Sequence, residues 1–205
     1  MRLLLTLSVS LTVISDRIVA ATVLSAAACT GGDVTVSGVD CRQLSPIASI
    51  LSEAGCSITC EPFSLHLRRD PARPLRAVSA VRTSPYPGFP TDAQAPIMAA
   101  LATGTGTTLF VENLFENRYR HVPELLRMGA DIEVEGRAAV IRGVPKLHGA
   151  SLEAGDLRGG GALAAAALGA EGESTLYNLH HIDRGYERLE EIFARLGGAI
   201  VRKDT

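Results

Sequence analysis

The chain is organised around residues 84–95, which read Ser84-Pro85-Tyr86-Pro87-Gly88-Phe89-Pro90-Thr91-Asp92-Ala93-Gln94-Ala95. Proline fixes φ and glycine permits strained turns, so the first half of this stretch predicts a stiff, irregular loop. Thr91 and Gln94 have the spacing of a capping box, and the apolar residues after them predict a helix. Asp92 is then either a first-turn acid favoured by the helix dipole or a fixed carboxylate that accepts a proton or binds a hydroxyl.

Composition indicates a globular protein of one good-sized domain or two small ones. Of the 205 residues, 46% are hydrophobic and 20% are charged, and the formal net charge is −2. Nothing in this balance indicates nucleic acid or a membrane surface as a partner. With no tryptophan and only 4% aromatic residues, the core must consist mostly of Ala, Leu, Val and Gly.

The chain start and the cysteines favour a cytoplasmic protein. Residues 1–11 contain one basic residue and are too short to cross a bilayer as a helix, so we expect a strand or a ragged chain start there. The four cysteines, Cys29, Cys41, Cys56 and Cys60, lack the spacing of a zinc site. We therefore expect reduced, buried thiols.

An internal repeat sets the predicted architecture. Three segments, at about residues 12–80, 81–148 and 149–205, each run from an aspartate through an apolar helix, a glycine break and a strand to a second helix that stops at glycine. The distance from Asp16 to Gly55 is 39 residues, from Asp92 to Gly129 it is 37, and from Asp156 to Gly197 it is 41. Glycine is the residue that most readily takes the left-handed conformation at a helix end.

The periodicity of these segments predicts the individual elements. The apolar first helices are predicted at residues 18–28, 95–102 and 162–168, and the more polar second helices at 47–54, 121–128 and 185–196. The strands are predicted at 33–37, 57–60, 64–68, 107–112, 131–135, 138–142, 174–178 and 199–202. Two strands meet at Gly136-Arg137, which predicts a hairpin turn.

A helix that is apolar all round belongs inside a protein, and small alanines let such helices pack closely. We therefore predict one α/β (α+β) domain over residues 1–205. It would be an inside-out α/β barrel of three βαβαββ-like repeats with buried apolar helices and outer sheets.

Three weaker signals are interpreted as structural. Gly104-Thr105-Gly106 fits a helix stop and Gly159-Gly160-Gly161 fits close packing, because neither lies in a dinucleotide-binding or phosphate-loop pattern. His180-His181 could be metal ligands, but no third ligand lies at a suggestive spacing. We expect no metal ion and no cofactor.

Several longer motifs resemble a known family. They are Phe89-Pro90-Thr91-Asp92 with Gln94, Phe115-Glu116-Asn117-Arg118, His121-Val122-Pro123-Glu124-Leu125, Arg127-Met128-Gly129-Ala130, Asp156-Leu157-Arg158 and His181-Ile182-Asp183-Arg184-Gly185-Tyr186-Glu187. Together they resemble the UDP-N-acetylglucosamine enolpyruvyl transferases (1-carboxyvinyltransferases) of the enolpyruvate transferase family. The likeness runs from about Asp16 to near the chain end and corresponds to the C-terminal half of such an enzyme.

The resemblance implies a reaction and its substrates. The family moves an enolpyruvyl group from phosphoenolpyruvate to the 3-hydroxyl of UDP-N-acetylglucosamine and releases phosphate. This is the first committed step of peptidoglycan synthesis, a cytoplasmic pathway of cell-wall biogenesis, cell shape and division.

The resemblance also implies roles for site residues. Asp92 takes the sugar-binding and proton-accepting position, and Asp156 would assist proton transfer. Arg184 matches the arginine at the phosphoenolpyruvate end, although a salt bridge with Asp183 or Glu187 is an open alternative. Three further residues complete the predicted site: Arg158, which binds an anion or orients Asp156; Arg118, which serves the substrate or the closing interface; and Leu114, whose backbone meets the nucleotide-sugar.

The sequence departs from the family in ways that leave alternatives open. The family's N-terminal half-domain, with its reactive-cysteine loop and several arginines, is absent, and the triple glycine and Pro96 are awkward within helices. The chain is then a split half that needs this missing partner domain, or a folded but inactive binding module. A third possibility is a transferase for another acceptor such as shikimate 3-phosphate.

Overall fold

The computed structural model of the chain describes residues 15–203, so the strand or ragged start predicted at residues 1–11 lies outside the described part. The helices are α1 (Arg17–Thr30), α2 (Ser45–Glu53), α3 (Gln94–Leu101), α4 (Val122–Arg127), α5 (Leu157–Gly169), α6 (His180–Asp183) and α7 (Leu189–Arg195). The strands are β1 (Asp33–Ser37), β2 (Ser57–Glu61), β3 (Ser64–Arg68), β4 (Ala80–Arg82), β5 (Thr107–Val111), β6 (Asp131–Glu135), β7 (Ala138–Arg142), β8 (Ser151–Glu153) and β9 (Thr175–Tyr177). Short 3-10 turns at Cys41–Leu44 and Thr91–Ala93 precede α2 and α3.

The three apolar helices α1, α3 and α5 pack against one another in pairs. All eight residues of α3 are buried, as are most residues of α1 and α5. The helices lie close because their contact residues are small. A Cβ atom on Gly169 of α5, for example, would lie 2.8 Å from the carbonyl oxygen of Cys29 in α1. These alanine-rich helices therefore form the core, as their uniform apolarity predicts.

The start of α1 shows how a local sequence sets a helix boundary. The side chain of Asp16 accepts hydrogen bonds from the backbone N–H groups of Ile18 and Val19, at 2.7 and 3.2 Å. At the other end Gly31 takes the left-handed conformation, with φ of 78°. Both signals are contained in the helix's own neighbourhood, so the predicted helix is found with nearly the predicted bounds.

Three separate sheets accompany the helices in the described chain. The first has the order β1-β3-β2 and is antiparallel throughout. The second has the order β4-β5-β7-β6, with β4 parallel to β5 and a tight turn at Gly136-Arg137 joining β6 to β7, as predicted. The third pairs β8 with β9 in parallel. The protein thus has a mixed helix and sheet fold.

Strands β4 and β8 are absent from the sequence prediction. Each is three residues long and pairs in parallel with a strand later in the chain, Ala80–Arg82 with β5 and Ser151–Glu153 with β9. Three residues are too few to show an alternating pattern, so their extended conformation depends on the partner strand. Strand β4 also runs across the predicted boundary between residues 80 and 81.

The helix predicted at 185–196 forms only in part, and the strand predicted at 199–202 is wrong. Helix α7 covers Leu189–Arg195, α6 lies before the predicted range at His180–Asp183, and Arg188 between them has a positive φ of 47°. Residues 199–203 form no strand. The side chain of Arg202 pairs with Asp183, at 2.7 and 2.9 Å, so an ion pair rather than a ladder holds this end of the described chain.

The expectation of four reduced thiols is also wrong. Cys41, in the 3-10 turn before α2, and Cys60, in β2, form a disulfide with 5.8 Å between their Cα atoms. Cys29 and Cys56 are free. Burial raises the pKa of Cys29 to about 12 and that of Cys56 to about 11, so both are protonated thiols at neutral pH.

Across residues 15–203, every helix is too short or too polar to span a bilayer.

Candidate functional site

The carboxylate of Asp92 lies between two guanidinium groups from distant parts of the chain. Its Oδ1 accepts a hydrogen bond from Arg118 Nη2 at 2.6 Å, and its Oδ2 accepts one from Arg158 Nη2 at 3.3 Å. Asp92 is partly exposed, whereas the side chains of Arg118 and Arg158 are 28% and 17% exposed. The acid is therefore held from both sides by half-buried cations and keeps access to solvent.

Asp92 is available for these contacts because it does not cap α3. The predicted capping box at Thr91 and Gln94 is wrong: a 3-10 turn occupies Thr91–Ala93, and Ala93 precedes α3 without any side-chain cap. The Thr91 hydroxyl instead donates to the carboxylate of Glu112 at 2.7 Å. Pro96 is the third residue of α3, where a backbone N–H would have no intrahelical acceptor, so proline fits there.

The loop before Asp92 is closed by its own backbone. Ser84 N–H donates to the Phe89 carbonyl at 3.0 Å, and Gly88 N–H donates to the Pro85 carbonyl at 2.8 Å. Phe89 is buried, and a Cβ atom on Gly88 would collide with Ser84 Oγ. The stiff, irregular loop predicted from proline and glycine is confirmed, and its end sets the position of Thr91 and Asp92.

Asp156 and Arg158 open helix α5 and divide two tasks. The side chain of Asp156 caps the helix by accepting from Gly159 N–H at 2.7 Å. The Arg158 guanidinium lies over the Tyr186 ring, 5.6 Å from its centroid, and its Nη1 is buried with no hydrogen-bond partner among residues 15–203. Burial by itself lowers the pKa of Arg158, but Tyr186, Asp92 and Asp16 together raise it, so the group stays cationic.

The triple glycine in α5 lets other side chains approach the helix closely. A Cβ atom on Gly160 would lie 2.6 Å from Ile182 Cγ1, and one on Gly161 would lie 2.9 Å from Tyr186 Oη. The interpretation as close packing is confirmed. Because Gly161 admits Tyr186, and Tyr186 lies under Arg158, the glycines also determine where the arginine can lie.

A small cleft lies beside Asp92, between α3 and α5. It is lined by side chains and backbone of Thr91, Gln94, Ala95, Arg118, His121, Asp156, Arg158 and Gly159. His121 is 3% exposed; its Nε2 lies 3.2 Å from Met98 Sδ, and its Nδ1 has no partner in the described chain. Burial lowers the pKa of His121 to about 4, so the ring is neutral at pH 7.

Leu114 is joined to the same site through Glu112. The Leu114 N–H donates to Glu112 Oε1 at 2.9 Å, while its carbonyl accepts no hydrogen bond from residues 15–203. Within the described chain this carbonyl is therefore available as an acceptor. The other oxygen of Glu112 leads through Thr91 and Arg118 to Asp92.

Arg184 is exposed and has no contact with the Asp92 group among the described hydrogen bonds and ion pairs. Neither alternative partner pairs with it: within residues 15–203, Asp183 pairs with Arg202, and Glu187 forms no ion pair. Gly185, the next residue, lies against Leu157 at the start of α5. Arg184 is therefore near the same helix start but outside the direct cluster.

The structure thus brings together Asp92, Arg118 and Arg158 directly, places Asp156 in the adjoining cleft, and connects Leu114 through Glu112. Sequence reasoning missed Glu112, whose only signal was its place at the end of a predicted strand, and gave no role to His121 or Tyr186, although both lie in motifs that carry the resemblance. His180 and His181 have their rings 4.1 Å apart. No group of three or more potential metal ligands occurs among residues 15–203.

This arrangement suits the binding of a polar or anionic ligand and proton transfer from a hydroxyl. Two guanidinium groups hold the Asp92 carboxylate in one orientation, and Arg158 still has an unused donor. Arginine binds carboxylate and phosphate groups with paired hydrogen bonds. A fixed carboxylate within reach of a bound hydroxyl can accept its proton.

Comparison with known proteins gives concordant matches. The family model for EPSP synthase (3-phosphoshikimate 1-carboxyvinyltransferase) matches residues 6–193. A UDP-N-acetylglucosamine 1-carboxyvinyltransferase of Zymomonas mobilis is 47% identical over 190 residues, which are 93% of this chain and 44% of that protein. UDP-N-acetylglucosamine 1-carboxyvinyltransferase 2 of Caldanaerobacter subterraneus is 49% identical over 191 residues, or 93% of this chain and 45% of that protein.

A solved structure agrees with these sequence matches. The enolpyruvyl transferase NikO from Streptomyces tendae superimposes with a TM-score of 0.81 at 28% identity, covering 92% of this chain and 44% of that one. The resemblance stated from the motifs is confirmed. The chain spans less than half the length of each of these three proteins.

Proposed function

We propose a function from the premise that this chain belongs to the EPSP synthase family of 1-carboxyvinyltransferases. It contributes one side of an active site that transfers an enolpyruvyl group from phosphoenolpyruvate to the 3-hydroxyl of UDP-N-acetylglucosamine. The names and identities of the two bacterial relatives support this acceptor. The observation that carries the proposal is the Asp92 carboxylate, which does not cap a helix and is held between Arg118 and Arg158.

Asp92 is the proposed proton acceptor. When the sugar 3-hydroxyl loses its proton to the carboxylate, the oxygen bonds to C2 of phosphoenolpyruvate while C3 takes up a proton, which gives a tetrahedral intermediate. Loss of phosphate from C2 and of a proton from C3 then restores the double bond. Arg118 and Arg158 aim the carboxylate, and the spare donor of Arg158 binds an anionic group of the substrate. The arrangement of donors before the substrate arrives reduces the ordering that the reaction requires.

The other proposed residues have more limited roles. Asp156 assists proton transfer with Oδ2, because Oδ1 is occupied by the helix cap. Leu114 contacts the nucleotide-sugar through its carbonyl. Arg184 binds at the phosphoenolpyruvate end, supported by its exposure and its place beside the start of α5.

The remaining parts of the proposal concern the whole enzyme. The other side of the cleft comes from a half-domain equivalent to the part of the relatives that this chain does not cover. The chain itself is an inside-out barrel of three repeats, supported by the mutual packing of α1, α3 and α5. A role in cytoplasmic peptidoglycan synthesis follows from the proposed substrate and is part of the proposal.

Calorimetric titration of the chain with UDP-N-acetylglucosamine tests the acceptor. Shikimate 3-phosphate serves as the competing candidate, because the matching family model is named after EPSP synthase, a 3-phosphoshikimate 1-carboxyvinyltransferase. We expect heat of binding with the nucleotide-sugar only. Binding of shikimate 3-phosphate alone would replace the proposed acceptor, and binding of neither compound would contradict the proposal for the isolated chain.

Turnover is tested by adding the N-terminal half of the Zymomonas mobilis relative as a separate chain. Release of phosphate from phosphoenolpyruvate in the presence of UDP-N-acetylglucosamine is the expected result. If the nucleotide-sugar binds but the completed enzyme releases no phosphate, the chain is a binding module rather than half of an active transferase.

A further inference from the structure

We propose that Glu112 is a positioning residue with two effects that both come from its buried carboxylate. It orders residues 113–115 after β5, called the Leu114 loop below, and it aims Arg118 at Asp92. The inference rests on the proposed function, because Leu114, Arg118 and Asp92 are the substrate-facing groups. Glu112 is not among the residues that line the cleft and is only 1% exposed. Its influence is therefore exerted through its hydrogen bonds.

One oxygen of Glu112 organises the backbone after β5. Oε1 accepts from Leu114 N–H at 2.9 Å and from Phe115 N–H at 3.2 Å, so the chain is wrapped around the carboxylate. It also accepts from the Thr83 hydroxyl at 2.8 Å. Thr83 in turn accepts from Asn113 N–H at 2.8 Å, which fixes the start of the same turn.

The other oxygen leads to the proposed proton acceptor. Oε2 accepts from the Thr91 hydroxyl at 2.7 Å, and Thr91 Oγ1 accepts from Arg118 Nε at 3.1 Å. The same guanidinium donates from Nη2 to Asp92 at 2.6 Å. Arg118 thus bridges two consecutive residues of the turn before α3, and Glu112 fixes the first of them.

Hydrogen-bond polarity requires an acceptor with two oxygens at this position. Each threonine hydroxyl has one proton, which it donates to Glu112, and each accepts one N–H from another group. The Glu112 carboxylate is the acceptor in all four of its hydrogen bonds. Only a carboxylate offers two such oxygens, since a glutamine places a donor where one of them was.

Stability alone does not account for a carboxylate here. A buried charge is costly unless it is compensated, and among residues 15–203 the Glu112 carboxylate forms no ion pair, since Arg118 is linked to it only through Thr91. The geometry instead connects two groups that must be correct together: the Leu114 loop after β5 and the turn at Asp92 before α3.

Two substitutions separate the halves of this network. Glu112→Gln can keep the Oε1 bonds to Leu114 and Phe115, but its amide nitrogen leaves the Thr91 hydroxyl without an acceptor. Thr91→Val removes the same link from the other end, and Thr91→Ser restores it. Glu133→Gln, an exposed glutamate of the same sheet that pairs with Arg142, is the matched control.

The first measurement is hydrogen exchange at Arg118 Nε–H and at the Leu114 and Phe115 amides, by NMR on the full chain. We expect Arg118 Nε–H to exchange about tenfold faster in Glu112→Gln and in Thr91→Val, as expected for loss of one hydrogen bond. The two amides should remain protected, and Thr91→Ser and Glu133→Gln should resemble the wild type. Unchanged Arg118 exchange in Thr91→Val would overturn the inference even if Glu112→Gln fails to fold.

The second measurement is the affinity of each variant for UDP-N-acetylglucosamine. It is made on variants whose unfolding midpoint equals that of the wild type, so that weaker binding does not reflect unfolding. Both Glu112→Gln and Thr91→Val should weaken binding by about tenfold, and the double variant should lose no more than either single one. Normal affinity in both variants would overturn the inference. If the wild-type chain does not bind the nucleotide-sugar, the proposed function fails, and the exchange data still decide the role of Glu112.

Discussion

The first and second segments start their core helices in opposite ways. Asp16 caps α1 with two backbone hydrogen bonds, whereas Asp92 accepts none from the backbone and pairs with Arg118 and Arg158. The difference arises because Thr91 bonds to Glu112 and a 3-10 turn replaces the cap. An aspartate before an apolar helix can thus cap that helix or pair with distant side chains, and a side-chain partner elsewhere decides which.

A second position shows the same contrast. Leu44 precedes α2 and His121 precedes α4, each two residues before a proline, and both are buried. The first segment fills this place with an apolar side chain, and the second fills it with an imidazole that has an unpaired nitrogen. At this position the second segment therefore buries a polar side chain where the first buries an apolar one.

Replacement of Asp92, the aspartate that does not cap its helix, is expected to have the largest effect, which is on the rate of the reaction. In the enzyme completed with an N-terminal half, Asp92→Asn should lower the rate of phosphate release by about 10²- to 10⁴-fold, because the proton acceptor is lost. Asp16→Asn is the control, since asparagine also caps helices. Full turnover by Asp92→Asn would remove the distinction between the two aspartates.

The buried imidazole predicts a pH effect on stability. Burial lowers the pKa of His121 to about 4 against partial compensation by Asp156 and with a further lowering by Arg118, while the unfolded chain has a pKa of about 6.5. As the pH falls from 6.5 to 4, His121 becomes protonated in the unfolded chain but stays neutral in the folded chain. The free energy of unfolding should therefore fall by about 3 kcal/mol from pH 6.5 to pH 4.

Copying the first segment tests this assignment. His121→Leu introduces the residue found at position 44 and should flatten the pH dependence in urea titrations between pH 4 and pH 6.5. An unchanged slope in His121→Leu would show that other groups produce it.

The fourth residue of each long helix gives a smaller contrast. It is Ala20 in α1 and Gly160 in α5. Gly160→Ala would place a Cβ atom 2.6 Å from Ile182 Cγ1 and 3.0 Å from the Ala154 Cβ. We expect a loss of about 1–3 kcal/mol in unfolding free energy from overpacking, measured with urea.

The control for this substitution is Gly155→Ala, where a Cβ atom would meet nothing within 4 Å. Helix propensity alone would make Gly160→Ala stabilising by about 1 kcal/mol. A gain in stability would therefore mean that Ile182 moves aside easily and that α5 does not require its glycine at this position.

The smallest expected effect concerns the aspartate that does cap. Asp16→Ala should cost about 1 kcal/mol of unfolding free energy, because the N–H groups of Ile18 and Val19 lose their acceptor. Asp16→Asn should keep most of this stability. If Asp16→Ala left the unfolding free energy unchanged, the cap made by Asp16 would not stabilise the protein, and its contrast with Asp92 would be one of geometry alone.

Much of the fold could be predicted from local sequence. The bounds of α1, β1 and the β6–β7 hairpin follow from Asp16, Gly31 and Gly136, whose effects reach only a few residues. The break at Arg188 could not be predicted, because its neighbours have a helical pattern and the interruption depends on the surrounding packing.

The site was predicted only as a set of residues. The motifs placed Asp92, Arg118 and Arg158 in it, but their contacts span 26 and 66 residues of sequence. The sequence did not identify Glu112 as part of the site, because a glutamate at the end of a strand usually faces solvent. This one is buried, and its carboxylate accepts hydrogen bonds from Thr83 and Thr91.

The sequence by itself determined that three alanine-rich helices would be buried, since a helix without a polar face has no favourable place at the surface. It also determined the family, because the motifs retain their order and spacing. Only the tertiary structure decided that Asp92 would pair with two arginines and not cap α3, that Cys41 would meet Cys60, and that β4 and β8 would be extended. Each of these depends on a partner distant in the chain, and local propensity contains no information about which distant group will lie closest.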